Sequence, residues 1–323
     1  MYANPSAEQI EPEPLRSLQM KRLQDTVERA AAKSPFYQHL WQQRGICPQD
    51  ITSLADLRKL PFTTFEDIAG NLAMDFLTMP LSSILRIGWV DSPQEFVRFY
   101  SDGDVIRNVE MMTRALASTG ISRASVVAVM GDFSQSIFLD IQYALEALGA
   151  AVVPVGADYN RVIRMLDITG ADTLIGEPRV LLQLVIHVQA KGRDLIGFPL
   201  QRIVCLNSSL QNPLRRHVER RTATEVYDLW VSSVFGSAGM FYQCEEHSGQ
   251  HVQEDHIYPE LVAFGSDEVI EDKRMGELVL TTLTAEAMPI LRYRTGQSAM
   301  YSDKVCSCGR TLRRIITPFG QDL

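Results

Sequence analysis

The residues best suited to chemistry are three cysteines and a histidine in the C-terminal part of the chain. Cys244 opens the run Cys244-Glu245-Glu246-His247-Ser248-Gly249-Gln250-His251, and Cys306-Ser307-Cys308 closes the segment. Three thiolates and one imidazole suit a tetrahedral zinc ion. With all four positions taken by protein, such a site is structural and leaves none open for catalysis. Two histidines compete for the fourth place, because Cys244-x2-His247 is also a workable spacing. A metal closing so long a loop would give the segment between its ends a fixed geometry. Cys205 lies in an apolar run and reads as an inert thiol. An odd cysteine count with a Cys-x-Cys pair points to metal or thiol usage in a reducing, cytoplasmic setting rather than to disulfides.

Other titratable residues are less specific. His256, beside Glu254 and Asp255, could serve as a base; more ordinarily such a histidine is packed or supports a metal ligand. Ser232-Ser233 offers hydroxyls, but no Gly-x-Ser-x-Gly elbow frames them. Arg292 and Arg294 could hold a carboxylate or phosphate, or could form salt bridges among strands.

The middle of the chain supplies a scaffold that can position such groups. Apolar runs at 125–130, 151–155, 173–175 and 203–206 alternate with helical patterns at 137–148, 159–169 and 178–191. Strand, helix and strand over about 30 residues make a right-handed crossover, so a parallel sheet with helices on both faces is expected. Before it, helices are expected at 15–33, 36–44, 54–60, 65–72 and 103–118. A hairpin is expected over 84–100, turning at Asp91-Ser92-Pro93-Gln94-Glu95. Residues 1–14, with two Glu-Pro pairs, are expected to be loose, and 240–302 to form hairpins in a small antiparallel or barrel-like unit. The resulting division is a helical segment at 1–83, an α/β core at 84–239 and a strand-rich subdomain with the metal site at 240–323.

The 323 residues are 46% hydrophobic and carry a net charge of −8 with no basic block, which argues against nucleic acid and anionic membrane as partners. No apolar run reaches the length of about 18 residues needed to span a membrane, and the polar, acidic start does not read as a signal peptide.

Several segments together resemble the large domain of the phenylacetate–CoA ligase family, in the adenylate-forming superfamily. They are Ser34-Pro35-Phe36-Tyr37, Leu60-Pro61-Phe62-Thr63-Thr64, Glu225-Val226-Tyr227-Asp228-Leu229, Gly249 to Glu260, Gly276-Glu277-Leu278-Val279-Leu280-Thr281-Thr282-Leu283 and Pro289-Ile290-Leu291-Arg292-Tyr293-Arg294-Thr295-Gly296. The resemblance implies an α/β large domain with parallel sheets flanked by helices, followed by the antiparallel or barrel-like unit. It implies a family chemistry in which ATP and Mg²⁺ activate an acyl or aryl carboxylate for transfer to coenzyme A. It implies zinc on Cys244, His251, Cys306 and Cys308, and a homodimer. It also implies an acyl pocket lined by Asp132, Phe133, Ser134 and Gln135, by Asn207 and Ser208, and by Trp230, Ser232 and Ser233. These lie at the carboxyl ends of parallel strands, where open α/β sheets bind ligands. Within that pocket Asp132 is the candidate acid or base, since a carboxylate in an apolar pocket has a raised pKa; a solvated loop aspartate is the competing reading.

The chain departs from the family wherever nucleotide is handled. The glycine-rich phosphate loop is replaced by Asp91 to Glu95, which has no glycine and two carboxylates. The magnesium-binding carboxylate is replaced by Val234, and the ribose-binding aspartate by Gln297. The chain stops near the family's hinge, so the small C-terminal domain with its adenylation lysine is expected to be absent. ATP and Mg²⁺ are therefore not expected as cofactors. Three readings follow: an ATP-independent biosynthetic cyclisation, dehydration or acyl hydrolysis on a carboxylated or carrier-tethered substrate; a non-catalytic protein binding an acyl compound or a partner; or weak adenylation and CoA ligation.

Overall fold

A computed structural model describes residues 1–90, 96–210, 214–270 and 274–317. The expected turn at Asp91 to Glu95 lies outside the described residues. The chain opens with α1 (Pro5–Glu8), α2 (Pro12–Lys33), α3 (Pro35–Arg44) and α4 (Phe65–Gly70). Gly45 ends α3 in the left-handed region, and the Thr64 side chain caps α4 in a reciprocal box with Asp67. The helix expected at 54–60 is a 3₁₀ helix over Leu54–Lys59. Strands β1 (Arg86–Val90) and β2 (Phe96–Tyr100) pair antiparallel as a separate two-stranded sheet, and α5 (Asp102–Ser118) follows.

The crossover units come next: β3 (Val126–Val129), α6 (Ser136–Ala147), β4 (Ala151–Pro154), α7 (Tyr159–Thr169), β5 (Thr173–Gly176), α8 (Pro178–Ala190), β6 (Arg202–Asn207), α9 (Leu214–Thr222) and β7 (Glu225–Ser232). These five strands are parallel, in the order β4-β3-β5-β6-β7. The remaining strands are β8 (Ser237–Tyr242), β9 (Gln250–Val252), β10 (Ile257–Val262), β11 (Gly276–Thr282), β12 (Tyr293–Tyr301) and β13 (Arg314–Ile316). They join antiparallel to β7 and extend it to eleven strands, ending β7-β8-β9-β13-β12-β11-β10. Residue 240, expected to begin a subdomain, thus falls inside β8.

The alternation along β3 divides the core. Val127 and Val129 pack with α5 and α6 on one face, while Ala128 packs with α7 and α8 on the other. Helices α2 and α3 cover the antiparallel end through Leu23, Val27, Tyr37 and Trp41. No described helix is long and apolar enough to cross a membrane.

Residues 1–14 are not loose, contrary to expectation. Pro5 and Pro12 occupy helix first turns, where no backbone N–H is needed. The prolines therefore start helices rather than interrupt them. Glu8 is fully buried against Arg310.

Candidate functional site

The parallel strands end at an open cleft of about 890 Å³. Five of the residues expected to line an acyl pocket face it: Gln135 after β3, Ser208 after β6, and Trp230, Ser232 and Ser233 at the end of β7. Trp230 is held edge-on to Phe241 at 5.1 Å, and its Nε1–H donates to the Ser208 carbonyl at 3.3 Å. The β7–β8 register shifts between Trp230 and Val231, a bulge that turns the strand end into the cleft. Phe133 and Asn207 do not line the cleft. Phe133 packs on Phe138, and Asn207 is buried, its Nδ2 donating to Asp228. Ser134 is exposed and does not line it either.

Asp132 does not have the raised pKa expected of it. It is exposed, and its Oδ1 accepts from the Ser134 backbone N–H at 2.9 Å. That hydrogen bond holds the carboxylate below its ordinary range, because it favours the ionised form. The solvated loop aspartate is what the structure shows.

His256 is also away from the cleft. It is buried beside a second cavity of about 30 Å³, with Nδ1 at 3.0 Å from Thr284 Oγ1 and Nε2 at 3.3 Å from Asp255. Burial pulls its pKa down to about 4 despite the neighbouring carboxylate, so the ring is neutral near pH 7. Of the two sequence readings, packed histidine rather than base is the one observed.

The positions where the sequence departs from nucleotide handling are visible in two cases. Val234 is buried, and its carbonyl accepts from Arg98 Nη1 at 2.8 Å. Gln297 Oε1 accepts from Ser209 Oγ at 3.2 Å and from the Leu210 N–H at 3.1 Å, tying β12 to the loop after β6. Glu177 is the only carboxylate among the described residues lining the cleft. Sequence reasoning missed Tyr100 of β2, which lines the cleft. The available signal was its place at the end of the hairpin expected over 84–100.

The cysteine and histidine side chains meet at the junction of β8, β9 and the 306–309 turn. The ligand atoms of Cys244, His251, Cys306 and Cys308 all lie within 4.8 Å of one another. Cys244 Sγ is 3.7 Å from Cys306 Sγ, and Cys308 Sγ is 3.4 Å from His251 Nε2. A tetrahedron with bonds of about 2.3 Å to sulfur has edges of about 3.8 Å, so the spacing suits a metal and is far from a disulfide. His251 Nδ1 is 3.3 Å from the Leu312 carbonyl, an arrangement that places its proton there and leaves Nε2 free to ligate. These four side chains could hold a metal ion. His247 is not among them: its ring stacks 4.6 Å from Tyr227, and Arg215 Nη2 lies 3.4 Å from its Nδ1.

The remaining candidates have structural partners. Arg292 makes a buried two-point contact with Glu260 at 3.0 and 3.1 Å, and Arg294 pairs with Glu277 at 2.8 Å. Cys205 is buried in β6, which pushes its thiol pKa well up.

Comparison with known proteins agrees with this fold. A phenylacetate-coenzyme A ligase of Escherichia coli is 30% identical over 291 residues, covering 87% of this chain and 66% of the relative. One of Thermus thermophilus is 28% identical over 320 residues, covering 96% and 71%. The chain spans 65 to 71% of the length of the curated relatives it matches. Among solved structures, 2-hydroxyisobutyryl-CoA ligase in the postadenylation state superposes with a TM-score of 0.87 at 20% identity, covering 97% of this chain and 69% of that one. No protein-family model matches the chain.

Proposed function

Since this chain belongs to the phenylacetate-coenzyme A ligase family of the adenylate-forming superfamily, we propose that it binds an acyl or aryl carboxylate in the cleft and acts on it without ATP. Its chemistry would be a cyclisation or dehydration of a carboxylated substrate, or hydrolysis of a carrier-tethered acyl group. The observation that carries this reading is Val234. At the position where the family resemblance implies a magnesium-binding carboxylate stands a buried valine, whose carbonyl is already engaged by Arg98. Glu177 is left as the one carboxylate among the described cleft-lining residues. Calorimetric titration with ATP and Mg²⁺ tests the reading directly. No binding heat is expected, and a saturable isotherm would overturn the loss of nucleotide handling. Titration with phenylacetate or benzoate should show binding.

A second reading, a non-catalytic acyl-binding protein, is favoured by one observation. Neither Asp132 nor His256 brings a titratable group into the cleft. Turnover of a bound carboxylate without ATP would decide for the enzyme.

The metal cluster is proposed to hold structural zinc through Cys244, His251, Cys306 and Cys308. The donor set, the 3.7 and 3.4 Å edges and the orientation of His251 support that metal. When bound, zinc would pin the 306–309 turn to β8 and β9.

A further inference from the structure

Positive charge is gathered on one part of this acidic chain. Residues 159–222 hold ten arginines and lysines against five aspartates and glutamates, whereas the whole chain holds 31 against 39. Four of those ten stand on the nine-residue helix α9, and all four are arginine. Interrupted by Val218 and Glu219, the run does not read as a basic block in sequence; the helix gathers it. Val218 and Thr222, four residues apart, turn one face to the interior. Arg216 and Arg220, and likewise His217 and Arg221, repeat that spacing on the exposed side. Glu219, the only carboxylate in α9, lies 3.8 Å from Arg215, which points inward to the Val226 carbonyl at 2.8 and 3.0 Å and to Asp228 at 3.6 Å. Arg220 Nη2 stands 3.2 Å from His217 Nδ1, and among the described residues neither Arg220 nor Arg221 meets a carboxylate.

This basic face borders the cleft. Helices α8 and α9 pack together, and both start at the cleft rim: Pro178 and Arg179 of the first turn of α8 line it, as does Leu214, the first residue of α9. Arg179 is exposed and meets no carboxylate among the described residues. A cation in a first turn opposes the helix dipole, so helix stability does not account for Arg179 or Arg216. Arginine is also the cation enriched in protein interfaces, where lysine is depleted. Glu177, at the N-cap of α8, is the one carboxylate beside Arg179 in the described cleft lining. A short basic face on an otherwise acidic chain suits an acidic protein surface better than the continuous phosphate track of a nucleic acid.

We propose that the exposed face of α9, together with Arg179, docks an acidic carrier domain and so brings the acyl group on its pantetheine arm into the cleft. This rests on the reading of the cleft as an acyl site and names the partner that delivers to it. Acidic side chains of the carrier meet Arg216, Arg220 and Arg221. Arg179, which lines the cleft itself, meets the phosphodiester from which the arm hangs. Beyond that phosphate the arm is neutral, and Gln135, Ser232 and Ser233 of the cleft lining offer its amides and thioester uncharged partners.

Titration of the full chain with an acidic acyl carrier protein bearing a phenylacetyl thioester, against free phenylacetyl-pantetheine, tests the assignment. The carrier-borne thioester should bind about tenfold or more tightly than the free one at low salt, and the margin should shrink as salt screens the charges. Arg220→Gln/Arg221→Gln should lose most of that margin while binding phenylacetyl-pantetheine as before. Arg220→Lys/Arg221→Lys should keep most of it, and Arg16→Gln, on the exposed side of α2, should keep all of it. Circular dichroism checks that each variant is folded. Should the double glutamine variant fail to fold, the comparison of carrier with free thioester on the unaltered chain still decides. Equal binding of the two, or a margin that survives in the folded double glutamine variant, overturns the docking face while leaving the acyl cleft standing. Binding of neither overturns both. A DNA duplex that binds as tightly as the carrier also overturns the docking face, because the patch then answers to any polyanion.

Discussion

Glu8 Oε2 accepts a hydrogen bond from Arg310 Nε at 2.7 Å, and both side chains are fully buried although 302 residues separate them in sequence. Arg310 also donates through Nη2 to the Met1 carbonyl at 2.6 Å, and the Tyr2 hydroxyl donates to the Cys308 carbonyl. The start of the chain is thus fastened to the turn that carries two candidate metal ligands. Gly309 permits that approach: at φ +83° a Cβ would overlap Tyr2 Oη. Glu8→Ala would strand a buried guanidinium. It should lower stability by about 3–5 kcal/mol, the usual cost of breaking a buried ion pair from one side. Urea denaturation measures this, and an unchanged midpoint would show that the clasp contributes nothing.

Purified protein should contain about one zinc per chain, matching a four-ligand structural site. Cys306→Ser and Cys308→Ser should each lose it, and chelation should lower the melting temperature. His247→Ala should retain zinc fully, because its ring lies against Tyr227 rather than in the cluster. Elemental analysis distinguishes these outcomes, and zinc retention in the cysteine variants would remove the assignment.

His256 makes stability depend on pH in a definite direction. Its pKa is pulled down to about 4 by burial, which outweighs the opposing pull of Asp255 and Glu110 and is aided by Arg114 and Arg22. The unfolded chain takes up a proton at this residue as pH falls through about 6.5, while the folded chain resists until about 4. Stability should therefore fall between those limits, by a few kcal/mol at most. Urea midpoints across this range should decline in the parent protein and less steeply in His256→Gln. Equal slopes would contradict the assignment.

Gly236→Ala should destabilise the protein. A left-handed backbone costs a non-glycine residue about 1–2 kcal/mol, and the added methyl also collides with Tyr100 Oη. Urea denaturation measures this, and an unchanged midpoint would show that Tyr100 and Arg98 yield to the methyl without cost.

Much of the architecture was legible in local pattern. The alternating apolar runs located β3 to β6 and the crossover helices between them, because a sheet covered on both faces needs continuous apolar strands. Gly45 marked the end of the helix expected at 36–44, whereas Thr63 and Thr64 were both possible caps for the next and the Thr64 side chain is the one that caps it. The donor types of the metal cluster were equally plain. Between His247 and His251, however, spacing was ambiguous, and only the path of β9 beside β13 brought His251 to the cysteines.

Burial decided what pattern could not reach. Asp132 read as an acid in an apolar pocket, yet its loop turns it toward water. Glu8 read as part of a loose terminus, yet its carboxylate meets Arg310 in the interior. Residue types, helix signals and the order of strands follow from neighbours a few positions apart, so the amino-acid sequence by itself determined them. Whether a charge meets water, a partner or neither depends on segments hundreds of residues away. For that reason only the tertiary structure placed Arg98 in the interior against the Val234 and Met288 carbonyls.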